Sequence, residues 1–137
     1  MKYFGEINSP KDLVTKEYVD QKILGGGVLI YGQVVTNSVN SKTSTIVNKM
    51  TLSAGVYIIS ANVQFSISTT ASTVANIYRT GIGTIAIERG TMSGGGGHSL
   101  CAIERVTDDT EIVCNVYHTH TATTTISTNL LRAVKIN

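Results

Sequence analysis

The chain has 137 residues, of which 15% are charged, 42% are hydrophobic and one is proline. Charge this sparse, with many Thr, Ser, Asn and β-branched residues, excludes a disordered chain, and the length suits one domain with a short appendage. The net charge of +2 without a long basic run excludes the electrostatic footprint of a nucleic-acid binder, and no apolar stretch has the roughly 18 residues of a membrane-spanning helix.

The first segment carries the helical signals. Ser9-Pro10-Lys11-Asp12 offers an N-cap serine, a proline at the first helical position and an acid in the first turn. Thr15 offers a second cap, after which Val19 and Ile23 lie one turn apart with Tyr18 beside them. A helix over 15–24 is shorter than the roughly 12 residues an isolated helix needs in water, so it must pack on something. Copies of itself around a symmetry axis would serve, with Tyr18, Val19 and Ile23 as the contact stripe. The start, Met1 to Glu6, has no apolar run of the secretory type. Gly25-Gly26-Gly27 then reads as a hinge, since three glycines cost backbone entropy in any regular element. The expected division is an anchor and linker over 1–27 and a β domain over 28–137.

From Val28 onward the period is two. Tyr57, Ile59, Ala61, Val63, Phe65 and Ile67 fall on one face, with Ser60, Asn62, Gln64, Ser66 and Ser68 on the other. One buried and one wet face is the pattern of an antiparallel sheet. Further strands are expected over 28–35, 45–52, 73–79, 82–89, 99–106, 111–118, 123–128 and 130–136. Asn37-Ser38, Thr80-Gly81, the 94–97 glycines and Asp108-Asp109 separate them. Many short strands without a second helix mean a sandwich or barrel, and eight or nine strands fit a jelly roll. Val28-Leu29-Ile30 and Leu130-Leu131 are apolar on both parities, as befits strands covered on both sides.

Several constellations mimic catalytic motifs. Gly81-Ile82-Gly83-Thr84-Ile85-Ala86 matches the written form of a dinucleotide fingerprint, but a strand follows it where the mechanism needs a helix. The 94–97 glycines lack the Gly-Lys-Ser/Thr of a phosphate loop and read as a surface loop. Asp108, Asp109 and Glu111 could offer oxygens to calcium, though a solvated turn is the plainer reading. Neither a Gly-x-Ser-x-Gly elbow nor a His-Glu-x-x-His pair occurs. No enzyme and no cofactor is expected. Cys101 and Cys114 are expected on neighbouring strands flanking the aspartates, with Cys101 facing Val116, a geometry that disfavours a disulfide. Cys114 shares parity with Ile112 and Val116, so it reads as a buried free thiol.

Two resemblances add to this. Asp12-Leu13-Val14-Thr15-Lys16-Glu17-Tyr18-Val19-Asp20 resembles a linker of many bacteriophage fibre proteins, in which such a run starts a short helix feeding the next domain. Lys49-Met50-Thr51-Leu52-Ser53-Ala54-Gly55-Val56-Tyr57-Ile58-Ile59 is similar to the Gly-x-Tyr strand of C1q/TNF-like jelly rolls. Thr107-Asp108-Asp109-Thr110-Glu111-Ile112-Val113 stands where that family has Gly-Asp-x-Val, with Asp108 in place of the family glycine. Together they imply an all-β antiparallel jelly-roll head, C1q/TNF-like and homotrimeric, preceded by a short helical segment. They imply a virion-surface location, as a tail or head fibre, with residues 1–24 contacting other virion proteins. A host cell-surface glycan or protein is the expected ligand.

A rigid β scaffold presents recognition on its loops. The expected contact residues are Thr91, Ser93, His98 and Ser99 in one loop, and His118, His120, Thr121 and Thr123 in another. His118 and His120 stand at i and i+2 and so share one side of a strand. Some phage spikes are known to hold a metal with such pairs on a three-fold axis. A solvated pair is the reading adopted here, and no metal is assigned.

Overall fold

The computed structural model describes residues 28–67 and 70–137. The expected anchor over 1–27, with Tyr18, Val19, Ile23 and the 25–27 hinge, lies outside the described residues, as does Ser68.

Every regular element among the described residues is a strand. In chain order they are β1 (Leu29–Tyr31), β2 (Gln33–Val34), β3 (Ser38–Val39), β4 (Thr45–Leu52), β5 (Gly55–Ser66), β6 (Ala71–Arg79), β7 (Gly83–Met92), β8 (Gly96–Val106), β9 (Thr110–His118) and β10 (Thr124–Lys135). One sheet runs β1-β10-β5-β8 with β3 also on β10, and the other runs β2-β4-β9-β6-β7. All pairings are antiparallel. Only β6 and β7 are consecutive strands that pair as a hairpin. Each other described connection passes from one sheet to the other.

The alternation in β5 sets the core. Tyr57, Ile59, Ala61, Val63, Phe65 and Ile67 are all buried, as their parity predicts. From the facing sheet come Leu52, Ala75, Ile77, Ile112, Cys114 and Val116. Tyr57 stays inside because its hydroxyl donates to the Ser53 carbonyl at 2.9 Å.

Several expectations change. The strand expected over 28–35 is two, β1 on β10 in one sheet and β2 on β4 in the other. The Asp108-Asp109 segment does not close a hairpin, since β8 pairs with β5 while β9 pairs with β4 and β6. Cys101 therefore stands opposite Ser60, not Val116. The strands expected over 123–128 and 130–136 form one element, β10, whose register on β5 shifts between Ile126 and Thr128. A bulge there leaves an irregular apolar pattern that looks like two segments. Of the 94–97 glycines, Gly96 and Gly97 belong to β8 and pair with Phe65 and Gln64.

The two ends of the sandwich differ. At one end, the proximal pole, Lys135 N–H donates to the Val28 carbonyl and Val56 N–H to the Asn137 carbonyl. Arg79 of β6 crosses to β8 there, meeting Glu104 at 2.8 Å and the Arg105 carbonyl at 3.1 Å. At the distal pole the pairs Phe65–Gly96, Ala71–Met92, Thr73–His118 and Val39–Thr124 end the ladders. The expected contact loops over 91–99 and 119–125 thus meet at one pole, although they are far apart in sequence.

Candidate functional site

Beneath the distal pole lies a buried polar layer. His98, His118, Thr73 and Thr124 are buried among apolar neighbours. Phe65 sits between the two histidines, its ring edge-on to His98 at 6.2 Å and to His118 at 6.4 Å. Such buried polar groups are tolerated only when hydrogen-bonded.

His98 and His118 were expected on contact loops, and the structure corrects both. His98 is 3% exposed and His118 fully buried. Each extends the inward parity of its strand, β8 through Leu100 and β9 through Cys114 and Val116. His118 Nε2–H donates to the Val39 carbonyl at 2.8 Å, and its Nδ1 accepts from His120 N–H at 3.1 Å. With both ring nitrogens committed inside the protomer, His118 cannot serve a metal on a three-fold axis. His120, Thr121 and Thr123 remain at the distal surface, half-buried or exposed. Ser41 Oγ donates to the His120 carbonyl, and Thr123 Oγ1 to Asn40 Oδ1.

His98 ties the sheets together. From β8 it reaches β6 and β7 of the other sheet. Nδ1–H donates to Glu88 Oε1 at 2.7 Å, and Nε2 accepts from Thr73 Oγ1 at 2.7 Å. The order Thr, His, Glu copies the order of nucleophile, base and orienting acid. Thr73, however, is fully buried, so the hydroxyl meets no substrate and the chain of bonds acts as a clamp.

Above the clamp, β7 and β8 leave an open cavity of about 370 Å³. Thr91, Ser93 and His98, three of the expected contact residues, line it together with Glu88, Arg89 and Met92. Gly90 and the glycines at 95–97 complete its wall. Ser99 does not line it, but its N–H donates to Glu88 Oε1 at 3.3 Å. Sequence reasoning missed Glu88 and Arg89, read only as strand residues. The signal was a charged pair on an otherwise apolar strand.

The cysteines differ in state. Cys114 is buried and free, and desolvation pushes its thiol up to about 12. Cys101 is free and exposed on the outer face of β8.

That outer face carries an apolar row. Leu29, Val134, Ile58 and Ile103 stand opposite one another across β1, β10, β5 and β8. Leu29, Ile58 and Ile103 are 50%, 37% and 65% exposed.

Two five-stranded antiparallel sheets, joined by connections that alternate between them, define the class: a C1q/TNF-like jelly roll. Among solved structures the fold is that of murine APRIL, crystallised at pH 8.5, with a TM-score of 0.53. The match covers 78% of this chain and 97% of that one at 15% identity, a likeness of fold alone. No family model matches the sequence, and no curated protein does.

Proposed function

We propose that the chain is the knob of a homotrimeric bacteriophage fibre that projects from the virion and binds the host cell surface. One observation carries the reading: the described chain begins at the proximal pole, while the expected contact loops gather at the distal pole. A domain mounted by residues 1–27 at its proximal end presents its distal end outward. A rigid sandwich displaying loops is a common recognition scaffold.

The apolar row across β1, β10, β5 and β8 supports the trimer. Exposed contiguous apolar surface marks an interaction site, and a second copy is the partner every fibre subunit has at hand. Trimerisation multiplies weak distal contacts by avidity. Binding is the activity that suits loops displayed at the end of a rigid sandwich.

The test is attachment of the purified, labelled full chain to permissive cells. Saturable binding, lost when 119–123 and 91–95 are replaced by loops of equal length in a chain that still folds, is the expected result. Full-chain protein that attaches to no permissive cell, together with decoration of capsid faces in micrographs of tagged virions, would make it a capsid head fibre.

A further inference from the structure

We propose that the cleft between β7 and β8 is a sugar site, which binds one neutral pyranose unit of a surface polysaccharide through its vicinal hydroxyls. This rests on the adhesion reading and gives its ligand a chemistry.

The cleft exists because side chains are missing. Gly90 faces His98, and a Cβ there would approach only His98 Cε1 at 3.6 Å. Gly94 and Gly95 hold φ of +77° and +105°, left-handed values that suit glycine and turn the chain from β7 into β8, with Gly95 in the cleft wall. The resulting volume of about 370 Å³ is at the small end of ligand pockets, the range suited to a single sugar ring.

The cleft's acceptor is fixed in advance. Glu88 has a half-exposed side chain, yet His98 Nδ1 and Ser99 N–H both hold its Oε1. Among the described residues no partner is assigned to Oε2, which leaves it open to hydroxyl donors. Holding a glutamate in one rotamer beforehand lowers the entropy cost of binding. His98, from the facing sheet, is itself held by Thr73, so the carboxylate is braced through two hydrogen bonds in series.

The remaining lining selects the ligand class. Arg89, Thr91 and Ser93 add donors and hydroxyls at the rim. An anion would meet the Glu88 carboxylate, and a metal cation would find only that one. An apolar ligand would find little beyond Met92. A polyhydroxylated neutral ring both donates and accepts, as the lining does. Among the described residues no Phe, Tyr or Trp ring lines the cleft, so each site is weak and the trimer supplies the avidity.

The experiment titrates the ¹⁵N-labelled full chain with galactose, glucose, mannose, rhamnose and N-acetylglucosamine, each to about 50 mM, well above the ~1 mM Kd of a weak site. Amides of 88–98 should shift saturably with at least one sugar. Glu88→Gln should weaken that sugar roughly tenfold, as loss of a charged acceptor does. Gly90→Val, which places two methyl groups in the cleft, should abolish the shifts in a protein whose cooperative melting shows that it still folds. The same free sugar should compete with cell attachment. No shift at 88–98 with any sugar, or shifts that survive Gly90→Val, would overturn the sugar site. Attachment that persists in Gly90→Val would overturn it while leaving adhesion intact. Shifts in a protein that attaches to no cell would keep the sugar site and remove the adhesion reading.

Discussion

Phe65 is the residue on which the distal pole turns. It is 2% exposed and touches His98 and His118, one from each sheet. Phe65→Ala should cost about 3–5 kcal/mol in urea unfolding, because the cavity opens beside two histidines that cannot collapse into it without breaking hydrogen bonds. A loss below ~1 kcal/mol would place the ring outside the core. Cys114 gives a second measurement. Its thiol is raised from 9.0 to about 12 by burial. A raised folded value means that its contribution to stability is complete below the unfolded value. That contribution is lost as pH rises through the window from about 9 to about 12. In native protein at pH 8, a thiol reagent should therefore reach Cys101 before Cys114, which reacts only on unfolding. The two buried histidines could have been found from sequence, since His118 continues the parity of Ile112, Cys114 and Val116. The Thr-rich run after it suggested an exposed segment and masked that signal.

At the scale of elements, β8 shows what composition hides. Its first residues, Gly96, Gly97 and His98, look like loop, yet they pair with Phe65, Gln64 and Val63. Gly97 is required by close approach. A Cβ there would stand 2.7 Å from the Val63 carbonyl oxygen and 2.7 Å from Gln64 Cγ. Gly97→Ala should push β8 off β5 and destabilise the domain by about 1–3 kcal/mol, read as a shift in urea midpoint. Gly90→Ala meets only an ordinary contact and should stay within about 0.5 kcal/mol of the parent. Equal effects of the two would contradict the register. The period-two pattern made β4, β5, β6 and β9 legible to within a few residues, because each has one buried face. The partners of β8 were not legible. A short Asp-rich turn suits a hairpin as well as a crossing between sheets, and only the long-range pairing of β8 with β5 decides. Bulges hid the continuity of β10 for a similar reason, since an inserted residue inverts the parity that reveals a strand.

At the scale of the whole molecule, the described residues of a lone protomer leave two apolar surfaces exposed. One is the row of Leu29, Val134, Ile58 and Ile103 on the outer face of the first sheet. The other is the proximal half of the side formed by β7 and β8, away from the cleft at 88–98, where these are the edge strands of their sheets. Ile87 and Ile82 are exposed on that side. Long edge strands are templates for association, and natural proteins cover or charge them. A face and an edge are different patches, so contact between them is heterologous and generates a ring or an open fibre. A ring of three is the outcome we expect. Light scattering at micromolar concentration should give about three times 14.6 kDa. Ile58→Glu with Ile103→Glu adds two charges to the face without touching the inward row, so the protomer should keep its fold. Its mass should fall toward one chain, because desolvating two unpaired carboxylates costs several kcal/mol. Cys101 stands two residues from Ile103 on the same outward face. Its alkylation should therefore be slower in the assembled parent than in the double variant. A parent that runs as a stable monomer, with Cys101 equally reactive in both proteins, would mean that neither surface is covered by a copy of this chain.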